Sequence, residues 1–325
     1  LGTAGLRGVP SLMQRRVEVM QRAIVARVKE LPQDPQWLGS RPCPVIAHGK
    51  GEETASADVV VADLAAAHAL AKRVEAWPIA AMTLVQVLRS TALLPVAQAL
   101  DVESMAFSTL QGGEEFAAWK QGRKDGPPPP SQAGDAVLLS RDGAVIEAVL
   151  NRAQTRNAVS VEMRDALVEA LRVLETDPSV EELRFSGLGD CFSAGGELQE
   201  FGLAPDPATA HWVRTVHSPA RLLAKLGARV SVFLHGACIG SGIELPAFAA
   251  RVVAHPRTFF QLPELQMGLI PGAGGTVSIA RRIGRQRTAW MVLGGRRINA
   301  RTALEWGLVD ELADRYSPAT ASGRR

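Results

Sequence analysis

A run of four prolines at positions 127–130 divides the chain into two parts that differ in pattern. Proline lacks a backbone N–H and has a fixed φ, so four in succession fit neither a helix interior nor a central strand. We therefore expect residues 125–135 to form an extended linker. Residues 57–124 are rich in alanine and leucine at helical spacing, whereas residues 136–315 alternate between β-rich and helical segments. The sequence thus predicts two parts of different secondary structure.

The residues before the linker are predicted to be mainly helical. Apolar residues recur at helical spacing over residues 11–30, and arginines occupy the opposite face. We expect this face to be solvated, with binding of a membrane or a partner as the alternative. Prolines and glycines predict irregular structure for the rest of an N-terminal extension that covers residues 1–56. Residues 57–77 predict one further helix, and residues 78–122 predict two or three more.

The residues after the linker alternate between strands and helices. Residues 136–151 predict a β-hairpin, because the Asp-Gly pair at 142–143 is a strong turn signal between two apolar runs. An amphipathic helix is predicted over residues 161–175. Apolar runs predict strands at residues 181–188, 230–240 and 251–256. Strands that alternate with helices indicate an α/β domain over residues 136–315, and residues 316–325 form a tail.

Composition argues against several classes of protein. The chain of 325 residues has a formal net charge of only +3 and few aromatic residues, 5%, so we expect no nucleic-acid partner. No window of 18 consecutive apolar residues is present, so we expect no membrane span. Cys43, Cys191 and Cys238 form no pair or cluster with metal-binding spacing. Scattered cysteines, and first residues without a signal-peptide pattern, predict a cytoplasmic protein without a metal site.

Two glycine-rich turns follow predicted strands, at residues 192–201 and 236–245. In both, small residues precede a predicted helix, whose first N–H groups are free and lie at the positive end of the helix dipole. Two such N–H groups that converge on one point would form an oxyanion hole. The second turn contains Glu244 in an otherwise apolar run. Taken alone, Ser241 and Glu244 also fit a capping box, in which the glutamate only caps its own helix.

A third segment gives Glu244 a second interpretation. Residues 259–276 place Glu264 directly after a proline in an apolar setting, and the compact turn PGAGG follows. Together with the two glycine-rich turns, this segment resembles the crotonase family, also called the enoyl-CoA hydratase/isomerase family. The matching segments occur in family order, at residues 150–171, 185–201, 235–248, 262–276 and 293–312. The resemblance implies the crotonase-like α/β fold, a spiral of ββα units, for residues 136–315.

The resemblance implies a site for an acyl-CoA thioester. The backbone N–H groups of Gly196 and Ser241 would bind the thioester oxygen and stabilise the enolate that forms there. Glu244 and Glu264 would act as acid and base, because two carboxyl groups in one apolar pocket do not both ionise easily. Family members with both glutamates are usually hydratases, so we expect hydration of a 2-enoyl-CoA or the reverse reaction. Coenzyme A would enter as part of the substrate, without a further cofactor.

Further residues are expected to bind the substrate. The resemblance places these loop and turn residues around it: Arg152, Ala153, Arg156, Ala194, Gly195, Gly240 and Gly272. Lys120, Arg123 and Lys124, at the basic end of a predicted helix, are candidates to bind the CoA phosphates, with a solvated helix end as the alternative. Residues 202–222 are expected to form part of the acyl pocket, where His211 and Trp212 either face the substrate or pack.

Two residues depart from the family pattern. Ser241 stands where glycine is usual, and Glu197 stands where the hydratases often have aspartate. One alternative is therefore another reaction through the same enolate, such as double-bond isomerisation or thioester hydrolysis. Another is a protein that binds acyl-CoA without turnover. A nucleophilic Ser241 with His235 as its base, as in the related Clp-type peptidases, is a third.

The front of the chain resembles the family's C-terminal region. In other members, this helical region follows the segment that matches residues 293–312, whereas here it matches residues 57–124. We therefore expect a circular permutation, in which the linker joins this region to the beginning of the core. The helices of residues 78–124 should then pack near residues 290–312, whereas an unrelated helical domain would lie apart. The resemblance also implies a homo-oligomer, a trimer or a hexamer.

Overall fold

Parallel strands and helices alternate in the part of the chain after the linker, and the predicted α/β fold class is confirmed. The computed structural model describes residues 22–50, 54–123 and 133–315. Its strands, numbered in chain order, are β1 (Ile24–Arg27), β2 (Val45–His48), β3 (Val59–Val61), β4 (Val137–Asp142), β5 (Val145–Leu150), β6 (Glu182–Gly187), β7 (Val230–Leu234), β8 (Ala237–Ile239), β9 (Arg251–Ala254), β10 (Phe259–Gln261), β11 (Ile298–Asn299) and β12 (Glu311–Leu312).

Six of these strands form the main sheet, in the order β12-β9-β7-β6-β5-β4. Strands β4 and β5 are the predicted hairpin and pair antiparallel, whereas the other neighbours in this sheet pair in parallel. Because these strands are parallel, the turns that follow β6 and β7 lie at the same edge of the sheet. A second sheet has the order β11-β10-β8, and its parallel pair aligns Ile239 with Gln261. This pairing brings the second glycine-rich turn beside the segment that carries Glu264.

Three helices lie over residues 78–122, where two or three are predicted, and the helix predicted over residues 161–175 is present. In chain order they are α1 (Pro35–Gly39), α2 (Leu64–Ala76), α3 (Pro78–Thr91), α4 (Val96–Gln111), α5 (Glu114–Gly122), α6 (Val161–Thr176), α7 (Pro207–Val216), α8 (Pro219–Leu226), α9 (Ser241–Glu244), α10 (Gly275–Ile283), α11 (Arg285–Gly294) and α12 (Ala300–Trp306). Helix α6 begins where the side chain of Ser160 accepts a hydrogen bond from Met163. Within the described ranges, no helix is long and apolar enough to cross a membrane.

Helices α3 and α4, from before the linker, pack directly on the domain that follows it. Helix α3 contacts α10 and α11, and α4 contacts α7 and α10. The helices before the linker approach the domain closely at two of its glycines. A Cβ on Gly272 would lie 2.3 Å from the ring of Phe107, and a Cβ on Gly268 would lie 2.6 Å from the backbone of Glu115. The apolar residues of both parts form one continuous core, so the helices do not lie apart as a separate domain.

The extension before residue 57 differs from its predicted structure. Residues 24–27 form a strand where a helix is predicted, and residues 45–48 form a strand where irregular structure is predicted. With residues 59–61 they make a small parallel sheet in the order β1-β2-β3. The prediction is wrong because short apolar runs fit either period, and pairing with distant segments decides between them. Residues 11–21 of the predicted helix and 125–132 of the predicted linker lie outside the described residues.

Two further predicted elements are divided in the structure. The strand predicted over residues 230–240 is two strands, β7 and β8, which belong to different sheets. Between them, Gly236 has a φ of +58°, and a Cβ there would lie 2.1 Å from the carbonyl oxygen of Asp190. Glycine therefore permits the bend that redirects the chain from one sheet to the other. The helix predicted over residues 57–77 begins only at Leu64, after β3.

A buried ion pair joins the extension to the rest of the molecule. The side chain of Asp58 is buried, and its Oδ1 accepts a hydrogen bond of 2.8 Å from Nε of Arg89 on α3. Its Oδ2 accepts a hydrogen bond of 2.8 Å from the N–H of Val45. Arg285 of α11 lies 3.6 Å from Oδ1. One carboxylate therefore connects the small sheet to helices on both sides of the linker.

Replacement of Arg89 by methionine is expected to lower the free energy of unfolding by about 3–5 kcal/mol, because Asp58 would stay buried without its closest cation. Urea unfolding measures this change. The double variant Arg89→Met with Asp58→Asn should recover part of the loss.

The matched control is Arg172→Met, which removes an exposed pair with Glu169 whose side chains are 48% and 69% exposed. Such a pair contributes no more than about 1 kcal/mol. Equal losses for Arg89→Met and Arg172→Met would contradict a role for Asp58 in joining the parts. A double variant less stable than Arg89→Met would contradict it as well.

Candidate active site

The two glycine-rich turns and the PGAGG turn meet at one cavity of about 490 Å³. The first turn follows β6, and the second follows β7 and contains β8. Two isolated β-bridges hold the first turn in place, one between Val159 and Gly196 and one between Ser193 and Cys238. The second of these bridges links the first turn to β8, which lies within the second turn. A cavity of this size is typical of sites for small molecules.

Two backbone N–H groups border this cavity, those of Gly196 and Ser241, and neither donates to an acceptor in the described part of the chain. Ser241 is the first residue of α9, so its N–H is one of the free donors of a helix start. Neighbouring glycines let the turns approach each other. Gly195 has a φ of +98°, and a Cβ there would lie 2.8 Å from the carbonyl oxygen of Ile239. The structure therefore brings the two predicted donors to the same cavity.

The side chains of Glu244 and Glu264 border the same cavity and are 2% and 7% exposed. A Cβ on Gly240 would lie 2.8 Å from Glu264 Oε1 and 3.8 Å from Glu244 Oε1, so the two carboxylates converge beside this glycine. Glu244 Oε2 accepts hydrogen bonds from the N–H groups of Ala273, at 2.8 Å, and Gly275, at 3.0 Å. Glu264 Oε2 is buried and has no hydrogen-bond partner among the residues described.

These contacts bear on two of the alternatives, the capping box of Glu244 and the nucleophilic Ser241. The capping-box interpretation of Glu244 is wrong, because α9 has no side-chain cap and the carboxylate bonds to a different turn. Ser241 Oγ is buried and has no partner in the described ranges. His235 donates from Nε2 to the carbonyl oxygen of Gly189 at 2.9 Å and does not border the cavity. The structure therefore does not support His235 as the base of a nucleophilic Ser241, because the histidine bonds elsewhere and lies outside the cavity lining.

Burial favours the protonated form of the two carboxyl groups. Desolvation raises the pKa of Glu264 to about 8, and the charge of a third glutamate, Glu103, adds to this effect. Desolvation and the charges of Glu264 and Glu103 raise the pKa of Glu244 well above its usual range, although the amides of Ala273 and Gly275 oppose this. Near neutral pH the pair therefore holds at least one proton, as acid–base chemistry requires. No group of acidic, histidine or cysteine side chains in the described part is placed to hold a metal ion.

Glu103 borders the cavity as well, and the sequence pattern did not single it out. It lies on α4, is buried, and accepts hydrogen bonds from the N–H groups of Gly274, at 2.6 Å, and Thr276, at 2.8 Å. Burial raises its pKa to about 7, while its bonds to Thr276 and Gly274 and the charge of Arg214 act to lower it. The signal that could have found it is a carboxylate on the apolar face of a helix, one turn before Phe107.

Four of the predicted substrate-binding residues border the cavity: Ala194, Gly195, Gly240 and Gly272. Ala153 and Arg156 lie in an exposed turn before α6 and do not border it. The prediction for the side chain of Arg152 is wrong, because its guanidinium group is turned inward. All five of its N–H groups have partners, which are Glu162 and the backbone carbonyls of residues 134, 135 and 151. This side chain holds the start of the domain together and has no donor left for a ligand.

The basic end of α5 lies at the rim of the cavity. Nζ of Lys120 donates to the carbonyl oxygen of Gly202 at 3.4 Å. The guanidinium of Arg123 donates to the carbonyl oxygen of Leu198, a residue that borders the cavity. Lys124 lies outside the described residues. The structure therefore places two of the three predicted cations beside the first glycine-rich turn.

Helices α4, α7 and α8 form the opposite wall of the cavity. The ring of Phe107 meets the ring of Phe201 edge to face, with centroids 6.5 Å apart. The guanidinium of Arg214 lies 4.6 Å from the centroid of Phe107. His211 bonds through Nδ1 to a serine of α4 at 2.9 Å, Trp212 is exposed, and neither borders the cavity. The structure therefore does not support the first of the two expectations, that His211 and Trp212 face the substrate.

Comparisons with known proteins agree with this geometry. The profile of the family described as Enoyl-CoA hydratase/isomerase matches residues 140–316. The 2,3-dehydroadipyl-CoA hydratase of Escherichia coli (strain K12) is 32% identical over 183 residues, which are 54% of this chain and 68% of that protein. The 1,2-epoxyphenylacetyl-CoA isomerase of the same strain is 31% identical over 182 residues, 55% of this chain and 70% of that protein. The crystal structure of an enoyl-CoA hydratase from Mycobacterium smegmatis has a TM-score of 0.51 and 29% identity, and covers 55% of this chain and 70% of that one.

The buried carboxyl groups should make the free energy of unfolding depend on pH. The pKa of Glu264 is raised from 4.5 to about 8 by folding, so the folded state binds more protons between these values. Its contribution to stability is therefore complete below about pH 4.5 and is lost as the pH rises through about 8. Between pH 5 and 8.5, Glu264→Gln should lose less stability than the wild type, by on the order of 1–3 kcal/mol.

Urea unfolding at a series of pH values measures this difference. Glu305→Gln, a change at an exposed glutamate of α12, is the control and should follow the wild type. Parallel curves for Glu264→Gln and the wild type would contradict a raised pKa for Glu264.

Proposed function

The chain belongs to the enoyl-CoA hydratase/isomerase family, and we propose that it adds water to a 2-enoyl-CoA thioester or removes water in the reverse reaction. The observation that carries this proposal is a single cavity bordered by two buried carboxylates and by two backbone N–H groups that have no acceptor among the described residues. Glu244 and Glu264 supply the acid and the base, and Gly196 and Ser241 supply the two donors. Two carboxylates favour hydration, because water addition needs both a group that activates water and a group that protonates the α-carbon.

The two donors hold the thioester oxygen. As water adds to the β-carbon, the electrons of the double bond shift toward this oxygen and form an enolate. The N–H groups of Gly196 and Ser241 stabilise the developing negative charge, by about 3–4 kcal/mol for each well-placed donor. The enolate then takes a proton at the α-carbon, and the thioester carbonyl re-forms. The product is a 3-hydroxyacyl-CoA.

The surroundings of the two glutamates support different roles for them. Glu244 Oε2 is held by two amides, so its Oε1 is the atom that accepts a proton from the attacking water. Glu264 has a pKa of about 8 and an unpartnered Oε2 among the described residues, so it delivers a proton to the α-carbon. One proton leaves water and one reaches carbon. Transfer of a proton from Glu244 to Glu264 then restores the starting state.

Double-bond isomerisation is the second candidate, and the match to a relative named as an isomerase favours it. It passes through the same enolate and needs the same two donors. It moves a proton within the substrate and takes up no water. Product analysis therefore separates the two reactions directly, because only hydration gives a 3-hydroxyacyl-CoA.

We also propose that residues 57–124 supply, in permuted order, the helices that complete the cavity in other family members. The matched segments cover 68% and 70% of these two relatives, so about a third of each has no counterpart in the matched part of this chain. In this chain, Leu100, Glu103 and Phe107 of α4 border the cavity from the opposite side. The same helix packs on α10, which begins at the PGAGG turn. The contacts of α3 with α11 also support the expected neighbourhood of residues 290–312.

The resemblance further favours a cytoplasmic enzyme that assembles as a trimer or a pair of trimers. The surface of β4, the edge strand of the main sheet, supports self-association, because Leu138 and Leu139 are exposed there. An edge strand with exposed apolar side chains is a surface that another chain can cover. Sedimentation velocity gives the oligomeric state.

Glu244→Gln and Glu264→Gln are each expected to lower kcat for hydration by about 10²–10⁴-fold, because a positioned acid or base contributes that much. The loss of conjugated thioester absorbance measures the rate on crotonyl-CoA and on longer or aromatic enoyl-CoAs. Calorimetry should show that CoA still binds both variants. Glu305→Gln, at an exposed site on α12, should keep the wild-type rate.

Three other outcomes would redirect the proposal. A wild type that binds CoA but turns over none of these substrates supports another enolate reaction or a binding role. Release of free CoA thiol that is lost in Ser241→Ala supports hydrolysis. Full activity in both glutamine variants would remove the two glutamates from the mechanism.

Replacement of Lys120 by glutamine is expected to raise KM for the acyl-CoA by about 3- to 10-fold at low salt with kcat unchanged, because one phosphate contact is lost. Added salt should reduce the difference, since salt screens exposed charges. Lys72→Gln, at an exposed site on α2 that does not border the cavity, is the matched control. An equal KM for both variants would contradict a role for Lys120 in binding phosphate.

A further inference from the structure

Four consecutive N–H groups at the start of α10, those of residues 273–276, bond alternately to two carboxylates. The first and third donate to Glu244, at 2.8 and 3.0 Å. The second and fourth donate to Glu103, at 2.6 and 2.8 Å. Thr276 Oγ1 donates to the same carboxylate at 2.6 Å. The turn is therefore held from two sides, by a glutamate of the proposed acid–base pair and by a glutamate of α4.

This alternation makes the position of Glu244 depend on Glu103. One oxygen of Glu244 is fixed by the turn, so its other oxygen meets Glu264 beside Gly240 only while the turn keeps its place. Phe107, one helical turn after Glu103, packs against Gly272 at the beginning of the same turn. Helix α4 therefore anchors the turn at two points. The precision matters, because a displacement of about 1 Å can lower a rate about 10²-fold.

Glu103 also contributes to the charge around the acid–base pair. Its charge is among the causes that raise the pKa of Glu244 and of Glu264. The opposing charge is Arg214 on α7, which acts to lower the pKa of Glu103. Helix α4 also carries Asp101, which pairs with Arg221, and a serine of α4 bonds to His211. Loss of the Glu103 charge should therefore make the pair easier to ionise.

We propose that Glu103 is a positioning residue for the reaction at this cavity: it holds residues 273–276 and, through them, the carboxylate of Glu244. The effect of Glu103 variants on kcat rests on the proposed function. The bonds of Glu103 to residues 273–276 and the titration of Glu244 and Glu264 can be measured without substrate. Glu103 lies outside residues 140–316, the segment that matches the family. A residue from before the linker therefore completes the site.

The test compares Glu103→Gln with Glu115→Gln. Glu115 is a matched control, because its carboxylate accepts hydrogen bonds from the N–H groups of Ile79 and Ala80, at 2.8 and 3.0 Å, where α3 begins, away from the cavity lining. Glu103→Gln should lower kcat for hydration about 10- to 100-fold and change KM less than about 3-fold. Glu115→Gln should keep the wild-type kcat even where both variants lose stability. Glu103→Asp keeps the charge but retracts the carboxylate, so its kcat should lie between those of Glu103→Gln and the wild type.

Three measurements report on the role of Glu103 beyond its effect on stability. The alkaline limb of the pH profile of kcat/KM should move to lower pH in Glu103→Gln, because the pair loses its remaining proton more easily. Carbon-13 NMR of the glutamate carboxyl groups, assigned with Glu244→Gln and Glu264→Gln, follows the same titration without substrate. Amide hydrogen exchange at residues 273–276 should be faster in Glu103→Gln and unchanged in Glu115→Gln.

The outcomes separate this proposal from the proposed function. A wild type without turnover would overturn the hydratase assignment, while NMR and hydrogen exchange would still decide the role of Glu103. Unchanged titration and exchange in Glu103→Gln would overturn that role, as would a loss of kcat no larger than in Glu115→Gln. If Glu103→Gln does not fold, Glu103→Asp takes its place, and wild-type kcat with wild-type exchange in that variant would overturn the proposal.

Discussion

The burial of three carboxylates at one cavity is the constraint on which the rest of the structure depends. An ionised carboxylate removed from water is costly unless it is paired or hydrogen-bonded. In the described part of the chain, Glu103, Glu244 and Glu264 form no salt bridge within 4.0 Å. Backbone amides compensate two of them, because residues 273–276 lie between Glu103 and Glu244 and donate to each in turn. The glycines of this turn let it approach both side chains closely.

The same compensation explains why the helices before the linker belong to the domain after it. Glu103 and Thr276 are 173 positions apart in the chain, yet they share two hydrogen bonds inside the core. Helix α4 brings both Glu103 and Phe107 to the turn that holds Glu244. Without this helix, two N–H groups at the start of α10 would lack their acceptor and the cavity would lack one wall. The proline-containing linker separates the two parts in sequence, but their packing joins them in one core.

Burial that is unfavourable for folding is useful for the proposed chemistry. Desolvation raises the pKa values of the three glutamates, to about 7 for Glu103 and about 8 for Glu264, so a carboxyl group can both hold and release a proton. Two buried polar atoms, Ser241 Oγ and Glu264 Oε2, have no partner within the residues described. Both residues border the cavity, where a substrate or water can supply the missing hydrogen bond. The incomplete hydrogen bonding of the site is thus consistent with a binding role.

The sequence by itself determined the elements whose signals are local. The hairpin at its Asp-Gly turn and the helices between residues 78 and 122 could be read from neighbouring residues. The pair Glu244 and Glu264 was predicted from the resemblance of several segments to the crotonase family. Only the tertiary structure decided what depends on contacts between distant segments. Residues 24–27 became a strand by pairing with β2, and the guanidinium of Arg152 turned inward to carbonyls near the linker. Glu103 became part of the site through amides far along the chain. Periodicity and spacing describe a segment and its neighbours, whereas burial and hydrogen bonding are fixed only when remote segments meet.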